Sequence, residues 1–309
     1  MKGLSIHMTD MCNQSCKFCV VDSYKERKEQ VNKRLIFKFL EENSGKGYET
    51  INIHGGEATI LPDFIEILTK IKELGYPEVS LQTNGRTLMD YQFAKQLTEL
   101  DVKTFIISFH TTDPKEMAWL ADVDEGWLGE IIEGIKNVKS LGAKVRTNTV
   151  LYKNNLDDFQ KTTKFIVEEL DADHVNISAM HPAGRAYKNF HTVCPKISDI
   201  IPLVKKAINY ISNTDKIVTV EGFPPCMLGD YTKYIVDWKK TDFKMLYHNF
   251  VLPNYASFMA SETRVLGENC SNCALKSDEL CGGIYKEYIE FYGWDEFEFV
   301  LPIEAEEVI

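Results

Sequence analysis

The sequence predicts an α/β fold: a partial (β/α)6 barrel of the TIM type with a small cysteine-rich C-terminal domain. Two patterns lead there. Short apolar-alternating runs take turns with amphipathic helical runs six times up to about residue 213, and such alternation implies parallel strands joined by helical crossovers. The rhythm then breaks, and the remaining stretch is dense in cysteine and aromatic residues. Six units are too few to close an eight-fold barrel, so the sheet is expected to stay open. The predicted division is 1–213 for the barrel and 214–309 for the extension.

The units run in order. "GLSIHMT" alternates as a strand and "KRLIFKFLEENS" follows with helical periodicity. "ETINIHG" precedes "LPDFIEILTKIKELG", a helix with proline near its start and glycine just past its end, the usual asymmetry of helix termini. "EVSLQTN" leads to "DYQFAKQLTEL", and "KTFIISFH" to "GWLGEIIEGIKNVKSLG". "KVRTNTV" leads to "LDDFQKTTKFIVEEL", and "HVNISAM" to "ISDIIPLVKKAINYIS". The aromatic run "YKEYIEFYGWDEFEF" reads as core of the extension, and the terminal "EAEEVI" as a frayed acidic tail.

Composition narrows the class. The 309 residues are 44% hydrophobic and 26% charged, with a formal charge of −11. That is an ordinary globular balance, and its sign speaks against broad nucleic-acid binding, which needs clustered Lys and Arg. No apolar run approaches a membrane span, and "MKGLSIHMTD" lacks the features of a signal peptide. The cytoplasm is the expected compartment. Eight cysteines there are not a disulfide framework, because the compartment keeps thiols reduced; metal binding is the leading use.

Six of the eight fall into two triplets. Cys12, Cys16 and Cys19 follow the first strand in "MTDMCNQSCKFCV", spaced C-x3-C-x2-C. Cys270, Cys273 and Cys281 sit in "CSNCALKSDELCGG", with Cys194 and Cys226 alone between the triplets. Active residues of barrel folds collect at the C-terminal strand ends, where the first triplet lies. Structural zinc takes four protein ligands. Three thiolates on one loop hold an iron–sulfur cubane with one iron open to an outside ligand. A zinc knuckle completed by His7 or His54 is the alternative.

C-x3-C-x2-C with an aromatic before its last cysteine, directly after strand one, resembles the radical S-adenosylmethionine (SAM) enzymes. "HGGEATIL" after strand two is similar to the family's Gly-Gly-Glu element, here Gly55, Gly56 and Glu57. The resemblance implies a 4Fe-4S cluster on Cys12, Cys16 and Cys19, with SAM chelating the open iron. Reductive cleavage of SAM then gives methionine and a 5′-deoxyadenosyl radical, which abstracts a hydrogen atom from a peptide or small-molecule substrate. It implies too that Gly55, Gly56 and Glu57 receive the SAM amino group. Asn84 in "QTNG" and Ser108 in "ISFH" are then candidates for the ribose or carboxylate, with Asn148 in "RTNTV" a further one. For Asn84 and Ser108 a helix or turn cap is the competing role. An electron donor such as flavodoxin or ferredoxin is the expected partner. His54 and His110 also end strands, as structural or catalytic groups. "MHPAGRAYKN" brings His181, Arg185 and Lys188 to a loop at the open end, where Arg185 is a candidate for an anionic group of SAM or substrate.

The second triplet resembles part of the SPASM and twitch extensions of that family, without the fuller cysteine run. With Cys226 it makes four thiolates for one auxiliary 4Fe-4S cluster; a zinc site of the same four cysteines is the rival. Cys194 reads as a buried small hydrophobe or as a hydrogen-atom donor to a substrate radical, as in radical SAM epimerases, with Cys226 the other candidate donor. A non-catalytic iron–sulfur or zinc protein is the remaining class.

Overall fold

In the computed structural model, residues 2–236, 242–277, 281–298 and 300 are described; the acidic tail predicted at the C-terminus lies outside them. The six predicted strands form as β1 Lys2–His7, β2 Thr50–His54, β3 Val79–Thr83, β4 Val102–Ser108, β5 Lys144–Val150 and β6 His174–Ser178. All six predicted crossover helices follow them, from Lys33–Asn43 to Ile197–Ile211. A further helix, Pro114–Ala121, precedes Trp127–Ser140 in the crossover from β4 to β5.

The sheet extends beyond the six units. β7, Ile217–Glu221, continues it in parallel beside β6. β8, Asp242–Tyr247, pairs in parallel with the opposite side of β1, and β9, Phe250–Leu252, turns back antiparallel on β8. The full order is β7-β6-β5-β4-β3-β2-β1-β8-β9. The sheet is open, a partial barrel, and it crosses residue 213: three of its strands come from the stretch read as the extension. A two-stranded ladder of β10 Arg264–Val265 and β11 Ile284–Tyr285 stands apart.

Each strand sorts its side chains by parity, as the pleat requires. One face packs on the helices: Ile51, Ile53, Phe105, Ile107, Val145, Val175, Ile177 and Val220 are all buried there. Burying each stabilises the fold by about 1.5–3 kcal/mol. The other face is polar. Asn52, His54, Ser80, Gln82, Arg146, Asn148, His174, Asn176 and Glu221 line one cavity of about 1580 Å³. A closed eight-fold barrel fills that space with branched apolar side chains; here it is a polar-walled chamber. The aromatic run of the extension packs on the barrel: Phe291 stacks on Phe190 at 4.1 Å, and the buried Tyr288 accepts from the Ile197 amide at 2.8 Å.

Candidate active site

The cysteine loop follows β1 and is held from two sides. The Ser15 and Lys17 amides donate to the Ala121 and Leu120 carbonyls, each at 2.9 Å. These are last-turn carbonyls of helix Pro114–Ala121, which lack partners within the helix. On the other side, the Arg185 amide donates to the Cys19 carbonyl at 2.9 Å and its Nε to the Cys16 carbonyl at 3.0 Å. Asn189 Nδ2 donates to the Lys17 carbonyl at 2.9 Å. Phe18, the aromatic before the last cysteine, meets His110 edge-on with centroids 5.0 Å apart.

Cys12, Cys16 and Cys19 all line the cavity. Burial pushes the Cys12 thiol up to about 12, with the Glu57 carboxylate adding to it. Burial also raises Cys16 and Cys19, against which the Arg185 guanidinium works. Thiols so placed ionise when a cationic centre arrives. Backbone amides are already aimed at the sulfurs, Gln14 at Cys12 at 3.4 Å and Ser23 at Cys19 at 3.3 Å. Three soft donors on one cavity wall fit a cubane with an open corner.

The two glycines after β2 allow a close backbone approach. The Gly56 amide donates to the Thr9 carbonyl at 2.6 Å, and the Glu57 amide to the Met11 carbonyl at 2.8 Å. A Cβ on Gly56 would lie 2.0 Å from the Met11 oxygen, and one on Gly55 2.5 Å from the Thr9 oxygen. Gly55 also has a φ of +148°. Both glycines reach the cavity wall. The Glu57 side chain does not: it is fully buried and accepts from Thr59 N (3.2 Å), Thr59 Oγ1 (2.6 Å), Thr83 Oγ1 (2.8 Å) and Asn84 N (2.7 Å). Burial raises its pKa and these donors oppose the rise. The carboxylate expected to receive an ammonium is instead a brace between the ends of β2 and β3.

Asn84, Ser108 and Asn148 line the cavity. Asn84 Nδ2 donates to Asn13 Oδ1 on the cysteine loop at 2.7 Å, and its Oδ1 caps the Arg86 amide at 3.1 Å. It therefore makes the expected turn cap while facing the chamber. Arg185 is not on the wall; its hydrogen bonds go to the cysteine loop. Lys188 pairs with Asp22 at 2.8 Å. Burial holds His54 down to about 3 and His110 and His181 to about 4, so all three are neutral at pH 7. His110 Nδ1 accepts from the Val150 amide at 3.2 Å.

The second cysteine set converges. Cys226 lies in the turn Pro225–Leu228, and Cys270 in the turn Glu268–Asn272, with Cys273 directly after it. Burial, then repulsion from Cys281, Cys270 and Cys273, pushes the Cys226 thiol up to about 12. Cys281 is the member that lines the cavity. A Cβ on Gly283 would lie 2.0 Å from the Val265 oxygen, so the "CGG" segment crosses β10 at backbone contact. Cys194 is elsewhere: it is 1% exposed in the apolar core, its Sγ directed at the Pro195 carbonyl at 3.7 Å. It does not line the chamber, which removes the geometry a hydrogen donor to substrate requires.

Among the described residues, the three-ligand group whose donor atoms all lie within 4.8 Å of one another is His7, Asp10 and His248. Its carboxylate is already engaged, by His7 Nε2 and Arg27 Nη2 at 2.6 Å each.

Residues 6–166 match the family profile described as the radical SAM superfamily. The chain belongs to that superfamily. A relative named probable GTP 3′,8-cyclase, from Sulfurisphaera tokodaii, is 27% identical over 217 residues, covering 70% of this chain and 67% of the relative. The chain spans 58–67% of the length of curated relatives it matches. Streptococcus suis SuiB bound to S-adenosylmethionine superposes with a TM-score of 0.69 at 18% identity, over 100% of this chain and 77% of SuiB. SuiB bound to precursor peptide SuiA gives the same TM-score and identity over 100% and 76%. At that identity the likeness is one of fold. For this radical SAM protein the fold accounts for the placement of the cysteine loop at the mouth of the chamber. Among the described residues, no helix is long and apolar enough to cross a membrane.

Sequence reading passed over much of the chamber wall: Arg146, His174, Asn176, Ser178 and Glu221. The signal was present. These residues share the parity of Asn148 along β5, β6 and β7, opposite the apolar positions.

Proposed function

We propose that this chain is a radical SAM enzyme with one auxiliary 4Fe-4S cluster, acting on a peptide or small molecule held in the polar chamber. Cys12, Cys16 and Cys19 would hold the first cluster, and Gly55, Gly56, Asn84 and Ser108 would border SAM. Cys226, Cys270, Cys273 and Cys281 would hold the second. When bound, the first cluster and SAM would supply a 5′-deoxyadenosyl radical able to take a hydrogen atom from the substrate.

The chain's own contribution is placement and exclusion of water. The carbonyls at the end of helix Pro114–Ala121 accept from the loop carrying the thiols, and Arg185 donates to it, so the loop is held from both sides. The carrying observation is that Cys281 opens on the same chamber as Cys12, Cys16 and Cys19. A precursor peptide is bound in SuiB and a nucleotide appears in the name of the cyclase relative, so both substrate classes have a precedent by similarity. A flavodoxin- or ferredoxin-type protein is the proposed electron donor, and the cytoplasm the proposed compartment.

The test is anaerobic reconstitution with iron and sulfide, followed by reduction in the presence of SAM. About eight irons per chain are expected, falling to about four in the Cys12→Ala/Cys16→Ala/Cys19→Ala variant. 5′-Deoxyadenosine should form with the wild type and not with that variant. A fully loaded protein that forms none is a non-catalytic iron–sulfur protein, and stoichiometric zinc without iron would overturn both cluster assignments.

A further inference from the structure

Arg146 projects from the third position of β5, on the chamber side of the sheet. Its Nε is buried without a partner, and the guanidinium makes no hydrogen bond or ion pair among the described residues. Glu221, at the end of β7, is the charge that faces it, through space and beyond ion-pair distance. Glu221 is itself poorly served, accepting from Asn176 Nδ2 at 3.4 Å. Arg264 is engaged with Tyr285 and the Gly283 carbonyl, each at 3.3 Å, and faces both Glu221 and Cys281. The wall therefore sets Arg146 and Arg264 against Glu221 and the half-buried Glu78, which accepts from Thr104 Oγ1 at 3.0 Å, and Arg146 is the cation left without a hydrogen-bonded or ion-paired partner among the described residues. Glu49 and Lys233 are exposed, where water screens them.

The neighbouring polar groups form a directed chain. Thr219 Oγ1 donates to Asn176 Oδ1 at 2.7 Å, so the 2.6 Å contact of His174 Nε2 with Thr219 is a donation by the imidazole. Asn176 Nδ2 and Ser178 Oγ both donate to Asn148 Oδ1 at 2.8 Å. The Asn148 carbonyl is thus saturated, and its Nδ2 has no partner among the described residues. Arg146 and Asn148 are two apart on one strand and so share a face. The wall presents unspent donors on Arg146 and Asn148.

We propose that Arg146, with the Asn148 amide beside it, anchors a carboxylate of the substrate, from an acidic peptide side chain or a free small acid. This rests on the reading of the chamber as the substrate site. One guanidinium with one amide beside it matches the two oxygens of a carboxylate. The anchor lies four residues, about 13 Å along the strand, below the β5 end where the cysteine loop sits, so the reacting carbon stands several bonds from the carboxylate.

The test uses the anaerobically reconstituted full chain with SAM. Binding of acetyl-Gly-Glu-Gly-amide, its Gln counterpart, N-acetylglutamate α-methylamide and GTP is followed by calorimetry. The Glu peptide should bind about tenfold or more tighter than the Gln peptide, the scale of a charge-assisted contact. Binding of the single-residue probe as tightly as the peptide assigns the site to a small acid, and weaker binding to a peptide. R146Q should erase the Glu preference and R146K keep part of it, both with wild-type SAM affinity. Equal binding of Glu and Gln probes, no binding of either, a preference that survives R146Q, or GTP as the tighter Arg146-dependent ligand would each overturn the assignment. 5′-Deoxyadenosine measured in the same samples reports separately on the enzyme reading.

Discussion

Residue by residue, the site is governed by backbone proximity. Gly56 is glycine because the Met11 carbonyl occupies the place of its Cβ, not because a turn needs it there. Backbone cannot yield as a flexible side chain does, so Gly56→Ala must push the cysteine loop away from β2. The expected result is a loss of iron loading at the first site with a stability cost of about 1–3 kcal/mol, measured by iron content and denaturant unfolding. Gly129→Ala is the control. A Cβ at that position in helix Trp127–Ser140 would meet nothing within 4 Å, and alanine there should be neutral or stabilising by up to about 1 kcal/mol. Glu57 shows the same economy: four donors converge on one buried carboxylate, and the residue serves the loop ends rather than the chamber.

Among the elements, helix Pro114–Ala121 links fold to site. Its start is fixed by Asp113, whose Oδ1 accepts from the Lys115 amide at 2.8 Å, and by Pro114 at the first turn. Its end offers the carbonyls that receive the cysteine loop. Asp113→Ala should cost about 1 kcal/mol through the lost cap. Because the far end of that helix grips Ser15 and Lys17, the amides of residues 15 and 17 should exchange faster with deuterium, while those of β5 and β6 stay unchanged. Equal protection in both proteins would show that the helix does not restrain the loop. The helix was hidden in the sequence because it sits inside a longer polar-and-apolar stretch between β4 and the stronger periodicity of Trp127–Ser140.

Across the molecule, barrel and extension share one sheet. β8 covers the β1 edge beside the cysteine loop, and Lys244 reaches Asn43 at 2.9 Å on the first crossover helix. A chain cut after residue 213 loses β7, β8 and β9 together and exposes two parallel-strand edges. Such edges invite association. The truncated protein is expected to elute as aggregate in size-exclusion chromatography, whereas a monomeric, cooperatively unfolding fragment would show that the six units fold alone. Placement of Cys281 on the chamber follows from the same architecture, since the extension returns across the open ends of the strands.

The six βα units, the cysteine loop after β1 and the glycine pair after β2 were legible because each is written in consecutive residues, as period, spacing or motif. The polar lining was equally local, encoded in the parity of β5, β6 and β7. The family, the succession of strands through β6 and the three thiols of the first site are therefore properties of the linear chain. Folding alone turns Glu57 inward to its own loops, sets Arg185 against the cysteine loop, seals Cys194 in the core and docks β8 on β1. Each of these depends on contacts between residues far apart in the chain, from the 26 positions between Glu57 and Thr83 to the 169 between Cys16 and Arg185. No local pattern carries them, because burial and close packing are settled only when distant segments meet.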